Sequence, residues 1–350
     1  MRLGLNFGYV SSAAEIAANL ELAVHAERLG YDAIWAAEAY GSDAATVLAA
    51  VAARTSRIDV GSAVFQIPAR TPAMTAMTAA TLDAISNGRF RLGLGVSGPQ
   101  VSEGWHGVRF ADPLGRTEEY VRIVRQALSR RRVVAAGDHF TLPLPDGQGK
   151  ALALAIHPVR PSIPIYLAAV GPKNLDLTGR IADGWLAIFF DPASGAGHIE
   201  RIRRAATAAG RNPDAIDVSV QLDASLGDSI EDAAVRVRPH AALYIGGMGS
   251  RETNFYHRIA TNMGFGSEAD EVQDRYLARD YAGAADAVPL EFISRTSLLG
   301  DEASIADSVT AFAAAGVTSL NIGVAADDPP SAVRTLEVVA NAVRRAGGRG

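Results

Sequence analysis

An α/β protein built as one (β/α)8 barrel, with two long insertions, is the fold this sequence predicts. Three observations point there. Short apolar runs alternate with segments of helical periodicity from one end of the 350-residue chain to the other. The runs number eight, and they are apolar throughout, as strands of a parallel sheet buried on both faces are. No linker composition divides the chain into two halves, and one barrel of roughly 250 residues plus insertions fits the length. A doubly wound open sheet uses the same alternation, and periodicity alone does not separate the two.

The first strand is Leu3 to Phe7. Ser11 or Ser12 caps the helix that follows, with Glu15 in its first turn and Gly30 at its end. Tyr31 to Ala36 is the second strand, and Asp43 caps a helix through Arg54. Ile58 to Val64 is the third, followed by a helix from Pro72 to Ile85 that Asn87-Gly88 stops. Phe90 to Gly95 is the fourth. The first insertion, about 96–162, then carries a helix from about Arg116 to Leu128 and two short strands, His139 to Leu142 and Leu152 to Ile156, about the Pro145-Asp146-Gly147 turn. Ile163 to Ala168, Trp185 to Phe189 and Ile216 to Leu222 are strands five to seven, with helices near 173–182 and 198–209. The second insertion, about 223–317, is helical in pattern at 229–238, 251–262 and 302–315. Ser319 to Val324 closes the set, and a helix from about Ser331 to Arg345 ends it.

Composition bounds the function. Hydrophobic residues make up 48% and charged residues 20% of the chain, which is a folded globular profile. With no cysteine, disulfides, thiolate zinc, iron–sulfur clusters and a cysteine nucleophile are excluded. The net charge is −5, and the only basic tract is Arg130 to Arg132 at a helix end; no nucleic-acid partner is expected. No apolar stretch is long enough to span a membrane, and MRLGLNFGYV shows no cleavable leader; a cytoplasmic protein is expected. The seven histidines show no ligand-like pairing, so no metal site is expected.

Five segments stand out. Gly93-Leu-Gly95-Val-Ser-Gly98 matches GxGxxG, but the residues from Pro99 to Gly104 open no obvious helix, so it reads as a loop at a strand's C-terminal end and not a dinucleotide turn. Ala168 to Asn174 runs from a strand through Gly171-Pro172 into a helix. The free amides of such a helix start, with Lys173, suit a phosphate; an ordinary connecting loop is the plain alternative. Glu38 follows strand two, where a carboxylate is either a functional acid or a salt-bridge partner. Glu103, Trp105 and His106 lie in the loop after strand four, His106 being a proton donor by residue type. Gly246-Gly247-Met248-Gly249 is either a hinge or a helix stop.

The opening LGLNFGYV, the segment YDAIWAAEAYGSDA, the run from Thr55 to Gly107 and IPIYLAAVGPKNLDLTGRIADGW resemble the luciferase-like monooxygenase superfamily. They look most like its actinobacterial branch that uses the 5-deazaflavin coenzyme F420. The resemblance covers residue 1 to about 325 and implies a dimer of (β/α)8 barrels with the cofactor at the C-terminal mouth. It implies a non-prolyl cis peptide within Ser62, Ala63 and Val64, at Ala63–Val64, backing the cofactor ring. Ser97 and Gly98 would touch the ring or its side chain, and Val170, Gly171, Pro172, Lys173 and Asn174 would hold the phosphate. The reaction implied is hydride transfer between the deazaflavin C5 and a small organic substrate. Glu38 stands where related enzymes place an acid, yet Ala39 replaces the histidine that follows it in the sugar-phosphate dehydrogenases. Acid–base work would fall to Glu38, or to Glu103 and His106. An FMN-dependent monooxygenase, or a non-catalytic carrier, uses the same ring-and-phosphate cradle. A Schiff-base aldolase would need Lys173, which a phosphate explains better.

Overall fold

A computed structural model describes residues 1–347. Eight parallel strands form the barrel: β1 (Arg2–Asn6), β2 (Ala33–Ala36), β3 (Asp59–Ser62), β4 (Phe90–Gly95), β5 (Ile165–Ala168), β6 (Gly184–Ile188), β7 (Asp217–Leu226) and β8 (Ser319–Val324). Each pairs with the next, and β8 pairs back onto β1. The sheet is therefore closed, and the open-sheet alternative falls away. Around it in chain order lie α1 (Ala13–Leu29), α2 (Ala44–Arg54), α3 (Pro72–Ile85), α4 (Pro99–Gly104), α5 (Pro113–Leu128), α6 (Pro172–Ile181) and α7 (Ala196–Ala208). They continue with α8 (Ile230–Ala242), α9 (Phe255–Asn262), α10 (Gly266–Leu277), α11 (Tyr281–Ala287), α12 (Leu290–Thr296), α13 (Glu302–Ala314) and α14 (Pro329–Gly347). The caps lie where the sequence puts them: Ser12 and Asp43 each accept an amide of their helix's first turn, and Gly30 closes α1 in the left-handed region; Thr71, just ahead of Pro72, caps α3 in the same way.

One large side chain fills the barrel's centre. Trp35 of β2 points inward, and β-carbons on Gly4 and Gly61 would lie 2.9 and 2.5 Å from its ring. Those strands carry glycine because the indole occupies their space. Tyr166 meets Trp35 edge-on, with ring centroids 5.3 Å apart. Below them the N-terminal end is sealed by ions. Arg91 pairs with Asp59 at 2.6 Å and donates to the Tyr166 hydroxyl at 2.9 Å. That hydroxyl donates to Asp217 at 2.9 Å, and Asp217 also binds Arg2 at 2.7 Å. Burial, and then the Asp217 charge, push the Tyr166 phenol above its usual range. A closed, charged base leaves the C-terminal mouth as the accessible end of the barrel.

Three local expectations change. Pro99–Gly104 is a short helix, begun by Gly98 as N-cap and Pro99 at N1. Proline's fixed φ starts a helix that periodicity over six residues does not reveal. The small hairpin pairs Ala135–Ala136 with Thr141–Leu142, and Leu152 to Ile156 forms no strand. The Glu119 carboxylate sets that turn, accepting the amides of Asp138, His139 and Phe140. Past α8 the chain makes a π-helical turn, Leu243–Gly247. β-carbons on Gly246 and Gly247 would meet the Tyr276 side chain at 2.4 and 2.5 Å, so these glycines serve close packing on α10.

Candidate active site

The mouth's floor comes from the strand ends. Ala63, Val64 and Ala168 are half-buried and cap the inner cluster of Trp35, Tyr166 and Leu186. The peptide bond between Ala63 and Val64 is cis. Val64 lies over Gly95, where a β-carbon would come within 2.5 Å of it. The result is a low apolar surface with no side chain standing above it from β4. Ser62 itself points away from the mouth. It is fully buried, and its hydroxyl bonds the Gly93 carbonyl at 2.8 Å and accepts the Gly93 amide at 2.9 Å.

On the β4 side, Ser97 has a φ of +63°, a left-handed conformation uncommon for a residue with a β-carbon. Its hydroxyl accepts from Gln66 Nε2 at 3.3 Å, while Gln66 Oε1 meets His106 Nε2 at 2.9 Å. The structure thus joins His106 and Ser97 through a buried glutamine at the ends of β3 and β4. Gly98 adjoins them as the N-cap of α4.

The start of α6 is open. Gly171 caps it without a side chain, and a β-carbon there would meet nothing within 4 Å. The Asn174 and Leu175 amides turn back to the Gly171 carbonyl at 3.0 Å. Among the described residues the Gly171 and Lys173 amides bond nothing, and Pro172 has none to offer. Val170 and Asn174 are half-buried beside them, and Lys173 is exposed. Two free amides at a positive helix end form an anion cradle.

The acids sit differently. Glu38 is buried, and its oxygens accept the Ala44 amide at 3.3 Å, the Gln66 amide at 3.2 Å and the Arg70 guanidinium. Arg70 also binds Asp43, the cap of α2. Glu38 therefore ties the end of β2 to α2 and to the short strand Phe65–Gln66, the salt-bridge role of the two weighed above. Glu103 is exposed and accepts the Phe110 amide at 3.0 Å within its own loop.

Sequence reasoning missed a further pair. Asp223 lies on β7 at the same parity as Ser219 and Gln221, so it faces inward near the mouth. Its Oδ2 binds His240 Nδ1 at 2.6 Å. Burial lowers the imidazole pKa, but the Asp223 charge and hydrogen bond outweigh it and hold the pKa above the usual value. Seventeen residues separate the partners, so no local motif announces them; the strand's inward parity was the available signal. Among the described residues no cluster of three His, Cys, Asp or Glu could hold a metal, and no helix is long and apolar enough to cross a membrane.

A family model for luciferase-like monooxygenases matches residues 2–319. A Mycobacterium tuberculosis protein named as a coenzyme F420-dependent oxidoreductase is 41% identical over 327 residues, 91% of this chain and 94% of that one. The F420-dependent glucose-6-phosphate dehydrogenase of Kineococcus radiotolerans is 27% identical, over 90% of each chain. Among solved structures, the coenzyme F420-dependent tetrahydromethanopterin reductase of Methanopyrus kandleri superposes with a TM-score of 0.83 at 23% identity, over 98% of each chain.

Proposed function

The chain belongs to the luciferase-like monooxygenase family, and on that premise we propose that it is an F420-dependent oxidoreductase, passing a hydride between the deazaflavin C5 and a small organic substrate. The observation that carries this reading is the 41% identity, over 91% of the chain, to a relative named for that coenzyme. The residues present fit such a group: a flat apolar floor at Ala63, Val64 and Ala168, and an uncapped helix start at Gly171 with two free amides. When bound, F420 supplies the two-electron chemistry. The chain's own residues do the rest. Ala63, Val64 and Ala168 would carry the ring, Ser97 and Gly98 its edge, and Val170 to Asn174 the phosphate. Trp35 and, beneath it, Arg91 with Asp59 and Asp217 fill the barrel behind that floor, so substrate would reach the ring from the mouth. The segments about 96–162 and 223–317 would form the walls that choose the substrate, all within one barrel domain.

The test is a titration of the purified protein with F420, followed by fluorescence, and with FMN, followed by absorbance. Saturable F420 binding is expected. Tight FMN binding with oxygen uptake, and none of F420, overturns the assignment in favour of a flavin monooxygenase.

Glu38 is a clamp in this proposal, not the proton carrier. Glu38→Gln keeps the shape but weakens three charge-assisted hydrogen bonds, at a cost of about 2 kcal/mol. Urea melts should show that loss while F420 affinity stays within twofold. A wild-type melt with abolished turnover would restore Glu38 as the catalytic acid.

We also propose a homodimer formed through α3. Met74, Met77 and Ile85 are about half exposed (50%, 51% and 47%) along one side of that helix, a spacing that aligns them as one stripe. Light scattering should give twice the 36.6 kDa chain mass for the wild type and a monomer for Met77→Glu. Dimers in both leave α3 without that role.

A further inference from the structure

We infer that His240, oriented by Asp223, is the proton-transfer group of this site, and that the substrate is an alcohol–carbonyl pair; the inference rests on the F420 reading above. Four observations carry it. First, Asp223 sits on β7 at an inward-facing position, and β7 stands diametrically opposite β3, which leads into the Ala63–Val64 floor, in the eight-strand order; His240 is bonded to it. Second, Asp223 has its room by design of the neighbour: Gly323 lies beside it in register, and a β-carbon there would come 2.6 Å from Asp223 Oδ1. Third, His240 spends only Nδ1 on Asp223. Its Nε2 bonds nothing among the described residues, and the side chain keeps 32% exposure. Fourth, the ring cannot swing freely. It stacks edge-on against Tyr244 at 4.8 Å, and Tyr244 is held by Tyr256 at 4.7 Å and donates to the Tyr9 hydroxyl at 3.3 Å.

The charges around the imidazole are few. Arg236, one turn earlier on α8, is occupied by Ser225, Leu226, Asp232 and Asp327. Tyr9, Tyr244 and Tyr256 are pushed above the usual phenol range, chiefly by burial, and stay neutral. α10, α11, α12, the Leu243–Gly247 turn and the strand Leu298–Gly300 also pack on α8, and among the described residues none of them gives the imidazole a charged hydrogen-bond partner. Among the described residues Asp223 is therefore the one anion that bonds the imidazole.

A fixed imidazole with a free Nε2 suits one kind of bookkeeping. As a hydride from reduced deazaflavin forms a C–H bond at a carbonyl carbon, the C=O π pair moves onto oxygen. That oxygen takes the Nε2 proton, giving the alcohol, oxidised deazaflavin and a neutral imidazole still donating from Nδ1 to Asp223. Alcohol oxidation is the reverse, with neutral Nε2 accepting the hydroxyl proton. Loss of such a group costs roughly 10²–10⁴-fold in rate.

The test uses the intact protein and the variants His240→Gln and Asp223→Asn. Histidine-ring NMR of the cofactor-free wild type should show one resonance, absent from His240→Gln, that titrates above about 6.5 and falls in Asp223→Asn. Adding F420 should move that resonance and leave those of His25 and His157 in place. With F420 and 2-propanol, cyclohexanol or benzyl alcohol, turnover should rise with pH through the same midpoint. In His240→Gln the limb should vanish and kcat drop at least about 10²-fold, at unchanged F420 affinity. A resonance at or below the ordinary value, one that ignores F420, or an unchanged pH profile in His240→Gln overturns the role of His240. F420 binding without turnover of any of these alcohols overturns the substrate class. Absence of F420 binding is a failure of the cofactor assignment instead, visible before any variant is made.

Discussion

Gly93→Ala should cost the barrel at least about 3 kcal/mol, beyond the usual range for an added methyl group. The new β-carbon would lie 1.9 Å from the Ser62 carbonyl oxygen and 2.8 Å from Leu186 Cδ1. The Leu186 methyl can turn aside, but the Ser62 oxygen cannot. Ser62 O belongs to the backbone, and the Ser62 hydroxyl is locked to the Gly93 amide and carbonyl. Relief requires β3 and β4 to separate just below the Ala63–Val64 floor, so stability and site shape fall together. Against a total of about 5–15 kcal/mol, that loss is a large fraction. Gly197→Ala is the control: a β-carbon there meets nothing within 4 Å, and the residue lies in α7, so stability should stay level or rise by up to about 1 kcal/mol. Urea unfolding followed by circular dichroism reads both. Equal midpoints for Gly93→Ala and wild type would mean that this crowding is not real.

The same glycine shows what a sequence can and cannot say. Gly93 and Gly95 sit in a GxGxxG string, which invites a nucleotide-loop reading. Their position at the end of a fourth strand already argued for a barrel rim, and there they lie, one under the Ser62 carbonyl and one under Val64. Strands were legible because each is a continuous apolar run buried on both sides, and caps because Ser12 and Asp43 act on their own helices. The hairpin was not legible, since the Glu119 carboxylate that organises it is about twenty residues away from the turn it binds. The role of Glu38 was not fixed either: only the fold brings Arg70, 32 residues on, against it. The His240–Asp223 pair failed for the same reason. Long-range electrostatics leave no period in the sequence.

Gly171→Asp separates stability from binding by sign. Gly171 has φ −80° and ψ 155°, the extended geometry of an N-cap that any residue adopts, and open space surrounds it. Aspartate there should accept the Lys173 or Asn174 amide and complete the missing cap, a gain of a few tenths of a kcal/mol over glycine. The Lys173 amide is one of the two free donors assigned to the F420 phosphate. The carboxylate would fill the cradle and add a like charge beside the ligand, so F420 affinity should fall by roughly 10²-fold, about 2.7 kcal/mol. Gly171→Ala, which neither caps nor repels, should leave affinity within a few fold and so exclude bulk as the cause. Fluorescence titration and thermal melts of the three proteins decide it. A more stable Gly171→Asp that binds F420 as tightly as wild type would place the phosphate elsewhere on the rim. A less stable one would mean that α6 does not begin as an uncapped helix. Only the combination of a firmer fold and a weaker ligand fits a helix start left bare so that the ligand itself can cap it.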